Sequence, residues 1–230
     1  MAAQILPNEA RLTRKYGRTI MLRENVIANP AGLVRQRARW QAAMAPAHRH
    51  MLTEEGHFQQ TLWHEIGHYL GPLEDRAAHL DEDGVLLEEL KAELISVRAA
   101  DHLHGRGLIG PETRAGIRAS AILPMLRPVR PVRDQTYETM WLVGLNYFLS
   151  HGLLEPGPDG LRFHADRCPG VVEAMLGEVL ALLDGGTRAA AAAFIARHST
   201  WDERHDALAA AVRTVERYRF SRYVYSILRS

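Results

Sequence analysis

Between Glu55 and Leu70 an apolar residue returns at every fourth position, as Phe58, Leu62, Ile66 and Leu70. That is the spacing of one helix face, and Gly71 and Pro72 follow where a helix would stop. The same spacing recurs along the chain. Leu33, Ala38 and Ala42 share a face with arginines opposite, and Leu86, Leu90, Leu94 and Val97 form a stripe in a segment that runs to about Gly105. Pro111 stands at a tolerated first position of a further helix. Gln135–Gly152 reads as a strongly apolar one, and Gly157–Asp166 as a short strand or hairpin. Three helices complete the pattern, the last opening at Thr200 with Glu203 three residues on, a capping box. The first thirty residues read as irregular, with Pro7, Gly17 and Pro30 as punctuation. The prolines of Arg127–Asp134 bar a helix, and the aromatic, β-branched tail Tyr218–Leu228 reads as extended. The expectation is a mainly α fold with minor β: a single compact helical domain over residues 1–230, with 127–134 as the candidate subdivision.

The apolar stripe does not account for His64, Glu65 and His68, which lie in the same segment, LWHEIGHYLG. Positions i and i+4 of a helix lie on one face about one turn apart, so His64 and His68 can aim two ring nitrogens at a common point. Zinc takes imidazole nitrogens at about 2.0–2.1 Å in tetrahedral geometry. Glu65, beside His64, can reach a water bound to such a metal; the metal lowers the water's pKa and the carboxylate takes its proton. This is the physical content of an HExxH motif.

A catalytic zinc also needs a third protein ligand and an open position. LLEELKAELI supplies Glu89, with Glu93 one turn on, beside the Leu86–Leu90–Leu94 stripe. If Glu89 is the ligand, Glu88 or Glu93 can accept a hydrogen bond from a ligand histidine. The sequence therefore predicts a two-helix zinc site with His64, His68 and Glu89 as ligands, histidine and carboxylate donors also accepting other first-row divalent ions.

HEIGHYLGP followed by LEELKAELISV resembles the dipeptidyl peptidase III family of zinc peptidases. The closer resemblance is to its shorter-motif relatives, which include the peptidase-like domain joined to a Nudix domain in plants. Members carry a zinc-binding histidine pair on one helix and a Glu-Glu-x-x-Ala-Glu motif on the next, here Glu88 to Glu93, whose second glutamate completes the site. The dipeptidyl peptidases proper have one more residue between the histidines; this chain has the five-residue form. LPNEARLTRKYGRTIMLRENV and WLVGLNYFLSHGLL are similar to segments before and after the zinc helix. The resemblance spans most of this chain but only the C-terminal half of a typical member, whose other half helps form the cleft. It also implies an oxyanion-stabilising histidine at the start of the later helix, where this chain has Tyr137. A phenol can still donate a hydrogen bond there; a tyrosine packed at a helix start is the alternative.

The resulting expectation is a zinc hydrolase that acts on a small peptide or small-molecule amide, with Glu65 as general base and Tyr137 as oxyanion donor. Two alternatives stay open: an enzyme for a small non-peptide metabolite, and a non-catalytic binding module stabilised by its metal. The net charge of +1 gives no electrostatic case for nucleic acid or an anionic membrane. The absence of a long apolar run or secretory signal, and Cys168 as the one cysteine, point to the cytoplasm. A homo-oligomer, in which a second copy completes the cleft, is consistent with the aromatic tail. His102 with His104 and His48 with His50 read as ordinary histidines near a helix end and in a loop. Trp63 and Tyr69 are candidates for packing or for lining the pocket.

Overall fold

The computed structural model describes residues 3–6, 12, 15–17, 19–71, 79–130 and 135–215. The fold is helical, as the periodicity implies. The expected tail Tyr218–Leu228, residues 131–134 of the proline-rich break and residues 72–78, the first half of the acidic connection included, lie outside the described residues.

The N-terminal region departs from expectation. Ala3–Leu6 (β1) pairs antiparallel with Thr19–Leu22 (β2), Ala3 opposite Leu22 and Leu6 opposite Thr19, and Glu24–Ile27 (α1) forms a single turn. These pieces are too short to show a period, so the sequence hid them. The helix Pro30–Ala43 (α2) opens where Asn29 accepts a hydrogen bond from the Gly32 amide at 3.1 Å, with Pro30 in its first turn. Glu54–Gly67 (α3) opens in the same way, Thr53 accepting from the Gly56 amide at 3.1 Å, with Glu54 and Glu55 against the positive end of the helix dipole.

Glu82–Gly105 (α4) is the longest helix and the centre of the fold. Its Leu86, Leu90, Leu94 and Val97 are all buried in the main core. Around it pack α3, Pro111–Ile122 (α5), Thr136–Ser150 (α6) and Cys168–Gly185 (α7). A 3-10 turn, Leu123–Leu126, leads out of α5. Leu154–Gly157 (β3) and Gly160–Phe163 (β4) form the expected hairpin, with Leu154 opposite Phe163. Arg188–His198 (α8) and Glu203–Arg213 (α9) complete the fold. The capping box of α9 lies two residues beyond the expected Thr200–Glu203 pair: Asp202 caps it, and His205 closes the box from the third helical position. His205 is free to do so because its Nε2 is held by Asn146 Oδ1 at 2.9 Å.

The apolar stripe of α3 is not its most buried face. Phe58, Leu62 and Ile66 are half-buried and Leu70 is exposed, whereas Gly56, Gln60 and Gly67 are buried. The cause is backbone contact. A Cβ at position 56 would stand 2.3 Å from the Gly116 carbonyl carbon on α5, and one at 67 would stand 2.9 Å from Cα and O of Ala92 on α4. Side-chain-free surface lets α3 lie directly on both neighbours, and that outweighs burial of the larger residues. The helix also ends sooner than the Gly71–Pro72 signal suggested. Gly67 is its last residue and His68 its C-cap, after which Tyr69 and Leu70 bond back to Ile66 and Gly67 in a tightened turn.

Candidate metal centre

The close approach of Gly67 to Ala92 brings His64 and His68 of α3 over Glu88, Glu89 and Glu93 of α4. Each imidazole is gripped on one edge. His64 Nδ1 donates to Glu93 Oε2 at 2.9 Å, and His68 Nδ1 donates to Glu88 Oε2 at 2.6 Å. The carboxylates are held in turn. Gln60 Nε2 donates to both oxygens of Glu93 at 3.1 and 3.2 Å, and the buried Lys91 ammonium lies 2.9 Å from Glu88 Oε1. Both residues named from the sequence as supports, Glu88 and Glu93, therefore occupy that place, one for each ring.

With Nδ1 engaged, each ring turns Nε2 toward Glu89. Glu89 Oε2 lies 3.4 Å from His64 Nε2 and 3.9 Å from His68 Nε2. The rings stand nearly perpendicular, at 89°, with centroids 4.9 Å apart. Among the described residues this is the one group of histidine, cysteine and carboxylate side chains whose donor atoms converge, all within 4.8 Å of one another. Ligands about 2.05 Å from a tetrahedral ion sit about 3.3 Å apart, so the triad fits a zinc-sized cation after small adjustments. His102, His104, His48 and His50 form no such group.

The electrostatics of the cluster favour a cation. Burial would lower the pKa of His64, but its hydrogen bonds to Glu89 and Glu93 and their charges override this and lift it to about 10. For Glu89 and Glu88 burial raises the pKa, yet bonds from His64 and from His68, and the positive charges nearby, hold both below the ordinary carboxylate range. The site draws in a positive charge. Glu65 differs: burial pushes its carboxyl up, opposed by His64 and His68 and assisted by Glu89 and Glu88.

A cavity of about 600 Å³ opens over the triad, with Glu65 in its wall. Tyr137, at the start of α6, also lines it. It is exposed rather than packed, and its hydroxyl donates to Glu89 Oε1 at 3.2 Å. Burial and the adjacent Glu89 raise its pKa to about 12, so it stays protonated at neutral pH. Trp63 and Tyr69 do not line the cavity; Trp141, one turn after Tyr137, does. Gln36, Arg39, His57 and Ser120, none of them part of a motif in the sequence, line the same cavity. The placement of His57 was visible, since it precedes His64 by seven residues, two turns of the same face. The others come from α2 and α5, and nothing in their local spacing marks them.

No model of a known protein family matches this chain, and no curated protein matches it by sequence. Solved structures do match. The dipeptidyl peptidase III structure from Caldithrix abyssi superposes with a TM-score of 0.80 over 93% of this chain, at 20% identity. The one from Corallococcus sp. strain EGB gives 0.78 over 94%, at 22% identity. The fold is that of dipeptidyl peptidase III. The likeness extends over 42% and 40% of those two chains, so this chain spans well under half the length of the dipeptidyl peptidase III structures it matches. At identities of 20 and 22% these superpositions show the shared architecture alone. Among the described residues no helix is long and apolar enough to cross a membrane.

Proposed function

We propose that the chain is a zinc-type, metal-dependent hydrolase that cleaves a peptide or related amide bond, with His64, His68 and Glu89 holding the ion. The observation that carries this reading is the orientation of the rings: each imidazole gives Nδ1–H to a carboxylate of α4 and turns Nε2 toward Glu89. A bound divalent ion supplies Lewis acidity, lowering the pKa of coordinated water and polarising the scissile carbonyl. The chain's own residues do the rest. Glu65 takes a proton from the attacking water and delivers it to the leaving amine, a task suited to a carboxylate whose pKa is pushed upward. Tyr137 keeps its proton and donates to the developing oxyanion. Glu88 and Glu93 fix the tautomer and tilt of the two rings. The fold shared with dipeptidyl peptidase III supports a peptide as the substrate class.

Elemental analysis and Glu65→Gln test this together. Wild-type protein is expected to carry about one divalent ion per chain and His68→Ala to lose it. Glu65→Gln is expected to keep the ion and lose hydrolysis by about 10²–10⁴-fold. Full activity in an ion-loaded Glu65→Gln protein would remove Glu65 as the base, and wild-type protein that binds no ion would remove the whole reading.

A further inference from the structure

The cavity reaches well past the His64–His68–Glu89 triad, and its two ends differ in charge. The carboxylates that line it, Glu65, Glu89 and Glu93, all belong to the triad end. Beyond them the wall is built by α2, the first half of α3 and α5, which contribute Gln36 and Arg39, His57, and Ser120. Among the described residues no carboxylate lines that part.

Three of these side chains present a buried polar atom without a hydrogen-bond partner: Ser120 Oγ, His57 Nδ1 and Gln36 Oε1. Ser120 is only 2% exposed. A buried polar atom without a partner is costly, so several on one cavity wall indicate a ligand that completes them. Their polarity says which kind. Gln36 Nε2 lies 3.3 Å from His57 Nε2, which accepts its hydrogen and leaves the proton of the neutral ring on Nδ1. Burial lowers the pKa of His57 and keeps that ring neutral. The wall therefore offers the Ser120 hydroxyl and the His57 Nδ1–H as donors beside the Arg39 guanidinium, a set that suits an anionic oxygen ligand.

His57 precedes His64 by two turns, about 10 Å along the helix axis, and an extended peptide advances about 3.3–3.6 Å per residue. We infer that Ser120, His57 and Arg39 form a carboxylate subsite, which receives the carboxylate of a short peptide about three residues from the bond over the triad. The assignment of that bond rests on the hydrolase reading above; binding at the subsite does not. The carboxylate belongs either to the peptide's C-terminus or to an acidic side chain.

Calorimetric titration of the zinc-loaded full chain carrying Glu65→Gln reads binding without turnover. The probes are tetra-alanine with a free carboxylate, its C-terminal amide, and that amide with one alanine replaced by glutamate. The free acid is expected to bind at least about tenfold more tightly than the amide. Adding Ser120→Ala should shrink that ratio about threefold or more, and Arg39→Gln should shrink it further. Recovery of affinity by the glutamate-containing amide supports the subsite with a side-chain carboxylate as its ligand; no recovery, with the acid still preferred, supports it with the C-terminus. Equal affinities for acid and amide, no binding by any probe, or a preference that survives Ser120→Ala and Arg39→Gln together would overturn the inference. Hydrolysis by the protein with Glu65 intact is scored separately. Cleavage of acid and amide at equal kcat/KM, without a binding preference, leaves the hydrolase and removes the subsite. A binding preference without cleavage does the reverse.

Discussion

Gly67→Ala tests whether backbone contact between two helices is what assembles the candidate centre. A Cβ at residue 67 would stand 2.9 Å from Cα and O of Ala92 and 3.3 Å from its carbonyl carbon. Carbon atoms settle at about 3.5–4.0 Å, and the obstacle is backbone, so no side-chain rotation relieves it. Helices α3 and α4 must part by roughly half an ångström where they cross. The imidazoles lie on one side of that crossing and Glu89 on the other, with gaps of 3.4 and 3.9 Å that would widen in step. Ligand distances in metal sites are held to about ±0.2 Å, so the ion suffers more than the fold. Overpacking costs about 1–3 kcal/mol, and alanine recovers about 0.5–1 kcal/mol of helix stability, so the ion-free fold should lose no more than about 2.5 kcal/mol in urea. Zinc affinity, measured by competition with a chromophoric chelator, should fall by about 10–100-fold, as when the supports of a metal ligand are removed. Gly177→Ala is the control. Gly177 lies inside α7 with nothing within 4 Å of an added Cβ, so alanine there should stabilise by about 0.5–1 kcal/mol and leave zinc affinity unchanged. A Gly67→Ala protein that behaves like the control, more stable and binding zinc as tightly as wild type, would refute the reasoning.

Lys91→Met removes a fully buried ammonium from Glu88. Breaking one side of a buried pair costs about 3–5 kcal/mol, so the urea midpoint of the ion-free protein should drop sharply; an unchanged midpoint would show that the pair contributes nothing. The raised pKa of His64 sets a pH dependence. Since it moves from 6.5 to about 10 on folding, its stabilisation is complete below pH 6.5 and is lost as pH rises through 10. Ion-free protein should accordingly lose roughly 4–5 kcal/mol across that interval; urea midpoints that are flat or rising would contradict it. Burial lifts the Cys168 thiol to about 12. Alkylation of folded protein at pH 8 should therefore run about a thousandfold slower than of unfolded protein, and equal rates would show that the thiol is accessible.

The part of the site that was legible in the sequence is the part repeated at helical spacing within one element. His64, Glu65 and His68 announce themselves because a single helix fixes their mutual geometry, and Glu88, Glu89 and Glu93 do so for the same reason. Which face of α3 would meet α4 was not legible. The stripe Phe58–Leu62–Ile66–Leu70 marks the apolar side, while backbone contact is made through Gly67 against α4 and Gly56 against α5, whose significance is that they have no side chain. Hydrophobic periodicity ranks faces by transfer free energy and is blind to how closely two backbones can approach. The same blindness hid Ser120 and Arg39, which reach the cavity only because α5 is folded against α3 and α2 against the 3-10 turn Leu123–Leu126. The β1–β2 ladder went unseen because strands of four residues carry too little pattern.

The clustering of charge explains why an ion and a proton compete for one place. Glu65, Glu88, Glu89 and Glu93 gather around two imidazoles, with the Lys91 ammonium beside Glu88. These carboxylates, two buried and two half-buried, would repel one another strongly against one ammonium, and a positive charge must be recruited. In the ion-free protein the recruit is a proton on His64, held by Glu89 and Glu93. A divalent ion between Nε2 of both rings and Glu89 would supply more charge and would require that proton to leave. Zinc binding should then release close to one proton per ion at pH 8, measurable as a buffer-dependent heat. Release near zero would mean that the imidazoles are already neutral and that the carboxylates are balanced in some other way.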